Sequence, residues 1–144
     1  MSNKTYSKNT EQPRTLKADL EFGKGKEIEI LPIIRDYFKD DINFVKYEYS
    51  TYDFRGKQYK YELKSRTTKY EDYDTTLLPE SKIKYNKYIY FLFNFTDGLY
   101  YIKYEPNIFS TFKVEKFCRN KRSDYNDTPK NYIYIPITSL IKIN

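Results

Sequence analysis

From Gly23 onward the apolar residues fall into a helical rhythm. Leu31, Ile34 and Phe38 recur on one face with Ile30 beside them, and Glu27 lies on the same stripe one turn earlier. Pro32 interrupts this stretch. An interior proline costs roughly 3 kcal/mol in a regular helix, so the pattern predicts a kink there or a helix that starts later than Gly23. Ahead of it, residues 1–17 are polar and predict a disordered arm. Residues 18–144 read as a single domain.

Further along, the period changes to that of strands. NFVKYEYSTYDF (43–54) predicts one or two strands, Arg55-Gly56-Lys57 a turn, and QYKYELK (58–64) the returning strand. Residues 65–78 are polar and predict loops. Residues 79–87 place a proline ahead of good helix formers, which predicts a short helix. KYIYFLFNF (87–95) is the most apolar run in the chain and predicts a central strand, with 99–105 as its hairpin partner after a Thr-Asp-Gly turn. Residues 109–117 predict an edge strand, 119–131 a basic loop and 131–137 a last strand. The order of elements is that of an α+β domain built on a mixed sheet.

Composition limits the chemistry open to such a domain. The chain has 144 residues and no histidine, which removes Ser-His and Cys-His nucleophiles and every histidine metal site. The single Cys118 excludes an intramolecular disulfide and points to a reducing, intracellular compartment. No apolar run is long enough to predict a membrane span. Lysine and arginine number 26 against 20 acidic residues, and the net charge of +6 mildly favours a polyanionic partner. Catalysis, if present, falls to carboxylates, lysines, tyrosines or hydroxyls. Tyrosine is abundant, at 18 residues, but part of that excess is what AT-rich coding imposes.

The densest chemistry lies between Asp53 and Lys64, in DFRGKQYKYELK. With Gly56 and Lys57 as the turn, Arg55 pairs with Gln58 and Asp53 faces Lys60. Alternation then puts Asp53, Lys60, Glu62 and Lys64 on one face, with the two carboxylates as diagonal neighbours. Carboxylates that close repel unless a positive charge lies between them. A hard divalent ion such as Mg²⁺ suits them, and Lys64 lies within reach of a phosphate held by that ion. Cross-strand charges of this kind also suit an ordinary solvated sheet face.

An aspartate followed by Glu-x-Lys on a hairpin, behind a helix bearing a glutamate, resembles the PD-(D/E)XK nuclease superfamily. In that family a first helix is followed by a β-meander, a second helix and further strands. The resemblance covers about residues 20–140 in order of elements, although four positions carry its specificity. Tyr52 stands where the family name has proline.

The resemblance implies a restriction-endonuclease-like fold and a Mg²⁺-dependent endonuclease, with Mn²⁺ able to substitute. Asp53, Glu62 and the Leu63 carbonyl would hold the metal, Lys64 would be the catalytic lysine and Glu27 an outer carboxylate. Glu21 or Glu29 would replace Glu27 on a differently phased helix. DNA is favoured over RNA as substrate, a phage or viral origin fits the compactness and coding bias, and duplex cleavage would need a homodimer.

Phosphate contacts would come from Arg66 and Lys69 beyond the motif strand, from Lys82 and Lys84 on the second helix, and from Arg119, Lys121 and Arg122 in the basic loop. Each also suits a solvated surface, Lys82 and Lys84 more readily than a catalytic role. Two rivals remain: a non-catalytic nucleic-acid-binding module and a protein-interaction domain.

Overall fold

The computed structural model describes residues 15–45, 52–83, 87–117 and 129–144. The expected arm up to residue 14, Lys84, Cys118, Arg119, Lys121 and Arg122 lie outside the described residues. Helix α1 runs over Leu16–Phe38. It therefore starts earlier than the apolar rhythm indicates and takes in the last two residues expected in the arm. The reason is a cap: the Thr15 side chain accepts a hydrogen bond from the Ala18 amide at 3.0 Å. Pro32 does not end the helix. It lies on the exposed side, where the carbonyl left without a donor can be met by water. Lys39 closes the helix with φ 53°, in the left-handed conformation.

Among the described residues, the rest of the chain forms nine strands and a one-turn α-helix. They are β1 (Asn43–Phe44), β2 (Phe54–Arg55), β3 (Lys60–Ser65), β4 (Thr75–Pro79), β5 (Ile89–Phe95), β6 (Gly98–Lys103), α2 (Pro106–Phe109), β7 (Lys113–Phe117), β8 (Lys130–Pro136) and β9 (Ile141–Lys142). Six strands make a mixed sheet in the order β1-β2-β3-β5-β6-β9, and three make a second sheet in the order β4-β8-β7. The β3–β5 pair is parallel and its neighbours are antiparallel. The fold is thus α+β with a mixed sheet, as the order of elements predicts.

Several stretches depart from expectation, among them β9, which follows the strand read as the last. Strand β4 falls in a segment expected to be loop; its Thr76 and Leu78 are buried at alternate positions. The helix expected over 79–87 is, among the described residues, a single 3-10 turn at Glu80–Ile83.

The six-stranded sheet is covered on both faces. On one, Ile30, Leu31 and Ile34 of α1 pack on Phe54, Tyr61, Leu63, Leu92 and Leu99. On the other, Ile89, Phe91, Phe93 and Phe95 of β5 pack on Leu78, Ile133 and Ile135 of the smaller sheet. Each fully buried side chain of this size contributes roughly 1.5–3 kcal/mol. Strand β5 supplies both cores, which is why its sequence reads as continuously apolar rather than alternating.

This layering assigns the motif strand its faces. Tyr61 and Leu63 point to α1, so Glu62 and Lys64 rise from the opposite face, beside Phe91 and Phe93 in the parallel register. They stand at the mouth between the two sheets.

Candidate metal and phosphate site

The hairpin register differs from the expected one by two residues. Arg55 pairs with Lys60 and Phe54 with Tyr61, because the loop spans residues 56–59 and the Gly56 amide donates to the Tyr59 carbonyl at 2.9 Å. Asp40 fixes this loop, accepting from the Lys57 amide and from the Tyr61 hydroxyl, each at 3.1 Å. A β-carbon at Gly56 would overlap the Asp40 carboxylate. A larger residue there would have to displace Asp40 from its bonds to Lys57 and Tyr61.

A second departure decides where Asp53 points. Its amide donates to the Tyr61 carbonyl at 2.9 Å, although Tyr61 is the register partner of Phe54. Residues 53 and 54 thus share one opposing residue, which is the arrangement of a β-bulge, and bulges re-aim side chains. Asp53 does not lie on the Lys60–Glu62–Lys64 face as alternation predicts. Its Oδ2 accepts the Leu63 amide at 2.8 Å, a bond in the plane of the sheet. Lys60 and Arg66 donate toward β5, so the main-chain groups of Leu63, its carbonyl included, face away from β5 and toward Asp53.

In this position Asp53 stands between two other acids. Glu27, on the α1 stripe with Leu31 and Ile34, lies close enough to it for the two carboxyls to interact. Burial, then the charge of Glu62, push the Asp53 carboxyl up to about 8, with Glu27 adding to the rise and the Leu63 amide and Lys64 opposing it. Burial also raises Glu27 above the usual carboxylate range, with Glu62 adding to the rise and its interaction with Asp53 opposing it. Glu29, the alternative to Glu27, is exposed and pairs with Lys26 at 3.5 Å. The side chain of Glu21 is outside the described set.

Glu62 is 4% exposed. Its Oε2 pairs with Lys64 Nζ at 3.3 Å and with Lys82 Nζ at 3.0 Å. Lys82 reads from sequence as a lysine near the site or, more readily, as a solvated helix residue; the 3-10 turn after β4 carries it onto the buried glutamate. The missing signal is β4 itself, whose alternating TTLLP docks that turn against β8. Burial lowers the affinity of Lys64 for its proton, and Lys82 and Arg66 lower it further, while Glu62 works the other way.

The expected phosphate contacts separate in the structure. Arg66 is drawn inward: its Nε donates to Thr76 Oγ1 at 3.1 Å, a terminal nitrogen donates to the Leu77 carbonyl, and the guanidinium lies 5.4 Å from the Phe93 ring. It ties β3 to β4. Lys69 is exposed near the same opening.

Among the described residues, no three acidic or cysteine side chains converge on one point as a metal cage. Asp53 lies within electrostatic reach of both Glu27 and Glu62. Such a set still fits a Mg²⁺ ion, which is commonly held by one or two carboxylates together with substrate phosphate rather than by an all-protein cage. The donors here are hard oxygens, and the raised proton affinity of Asp53 marks a place where a positive charge relieves repulsion. Among the described residues, no helix is long and apolar enough to cross a membrane. Comparison with protein-family models, with curated proteins and with solved structures finds no match to this chain.

Proposed function

We propose that this protein is a Mg²⁺-dependent endonuclease of restriction-endonuclease-like fold that hydrolyses DNA phosphodiester bonds. The observation that carries the reading is the buried Glu62 held by the ammonium groups of Lys64 and Lys82, with Asp53 and Glu27 within electrostatic reach of it. Acids and cations held together at the mouth between two sheets suit an ion and a phosphate. A purely structural ion pair does not need the third carboxyl.

Asp53, Glu62 and the Leu63 carbonyl would hold the ion. When bound, it polarises the phosphate and supplies a hydroxide-like water at neutral pH, which a chain without histidine otherwise lacks. Lys64 then faces the developing negative charge at the phosphate. Lys82 holds the Glu62 carboxylate in place through its ion pair at 3.0 Å, and Glu27 stands near Asp53 as an outer carboxylate. One such site cuts one strand, so cleavage of a duplex would take two chains.

One observation favours a second reading. The two ion pairs on Glu62 already neutralise it, as in a structural network of a non-catalytic nucleic-acid-binding module. Labelled linear, forked, four-way-junction and RNA substrates, each with Mg²⁺ or with chelator, separate the two. The nuclease reading expects cleavage of at least one DNA substrate that chelator abolishes. Salt-sensitive binding without cleavage of any substrate would establish the module instead.

A further inference from the structure

A cleft of about 510 Å³ opens beside Lys64, between the end of β3 and the strands of the smaller sheet. Its lining includes the cations Lys64 of the motif strand and Arg66 and Lys69 just beyond it, together with the aromatics Tyr73, Tyr134 and Phe117. Tyr73 and Phe117 are 64% and 41% exposed, a large aromatic area left in water. Both β4 and β7 run antiparallel to β8, so Tyr73, preceding β4, and Phe117, closing β7, lie toward opposite ends of the cleft.

The neighbouring aromatics are already engaged. Tyr70 stacks on Tyr100 with ring centroids 4.0 Å apart and donates its hydroxyl to the Ile137 carbonyl at 2.8 Å. The Tyr134 ring carries Lys113 Nζ at 5.2 Å. Tyr73 is the aromatic face most open to a ligand among these residues.

We infer that this cleft takes one unpaired nucleotide of the DNA substrate, its base stacked on Tyr73 and its phosphate directed to Lys64. Three features select that occupant. The volume falls in the roughly 300–1,000 Å³ range of small-ligand sites, which admits a nucleotide but no duplex. The cations select an anion, and the aromatics select a flat π face of any base. Lys64 belongs to both the cleft and the carboxylate site, so a nucleotide seated here places its phosphate beside Glu62. The substrate class is therefore DNA with unpaired nucleotides, as at a fork, flap or bulge. This rests on the nuclease reading for the placement of the scissile phosphate, though not for the stacking.

The test uses binding without cleavage. In chelator, the full-length protein is titrated into a fully paired duplex and into the same duplex carrying one unpaired 2-aminopurine. Affinity for the second is expected to be about five- to 150-fold higher, from stacking worth roughly 1–3 kcal/mol per base, and 2-aminopurine fluorescence is expected to be quenched. Tyr73→Ala should abolish both the preference and the quenching without changing affinity for the paired duplex, and Tyr73→Phe should retain them. Equal affinities, or a Tyr73→Ala variant that keeps the preference, overturn the inference. Tyr73-dependent preference with no Mg²⁺-dependent cleavage would uphold the cleft and remove the nuclease. Lys64-dependent cleavage without the preference would do the reverse.

Discussion

Lys64→Met is expected to lower the Mg²⁺-dependent cleavage rate by at least about a hundredfold, the usual cost of removing one group that stabilises transition-state charge. Folding should survive the change. Methionine keeps the length of the buried stem, and Glu62 retains Lys82 at 3.0 Å, so the buried carboxylate is not left unpaired. The comparison needs two measurements on each protein: single-turnover rates on the substrate that the wild type cuts best, and the melting temperature. A variant that melts within a few degrees of wild type and cuts within fivefold of it would show that Lys64 has no catalytic part.

Asp53→Asn is expected to stabilise the metal-free protein, with an effect that grows with pH. The folded chain holds the Asp53 proton up to about 8, whereas the unfolded chain releases it near 3.8. Between those values the folded state binds more protons than the unfolded one, so wild-type stability falls as pH rises through that window. Below it both states are protonated and the penalty vanishes. The groups that set it are Glu27, Glu62, Lys64 and the Leu63 amide, with Lys24 acting on Glu27.

Asparagine keeps an acceptor for Leu63 and carries no charge to repel its neighbours. Each tenfold difference in proton affinity is worth about 1.4 kcal/mol. Even half of the implied effect raises the melting temperature by on the order of 10 °C near pH 8. Calorimetric scans in chelator at about pH 5 and about pH 8 check this. A variant less stable than wild type at the higher pH would show that Asp53 is comfortably ionised, and the case for a charge-hungry site would fail with it.

How far the sequence reveals this arrangement depends on where local rules govern. Strand β5 and its hairpin with β6 are readable because a continuous apolar run bounded by Thr-Asp-Gly has one structural solution. The α1 stripe is readable too, and Glu27, which lies on it, is near Asp53. Its start is hidden, since the Thr15 cap adds only one hydrogen bond to a polar stretch.

The motif itself is half legible. Alternation assigns Glu62 and Lys64 to one face even with the register wrong, since a slip of two residues preserves parity. The re-aiming of Asp53 is not legible, because a bulge is chosen by the fit of β2 to its neighbours. Nor is the role of Asp40, 21 positions from Tyr61 in the chain. The contacts of Lys82 and Arg66 are hidden in the same way. Both are ordinary charged residues until β4, a strand with no strong signal, brings them onto Glu62 and the second sheet.

The central claim is that Asp53 and Glu62 together hold a divalent cation. Titration calorimetry of Mg²⁺ into the wild type and into the Asp53→Asn/Glu62→Gln double variant, at neutral pH in buffers of different ionisation enthalpy, tests it most directly. The wild type should show one saturable site per chain, with binding heat that varies with buffer because Asp53 gives up its proton, and the double variant should show neither. No saturable binding to the wild type, or identical binding to both proteins, would contradict the account.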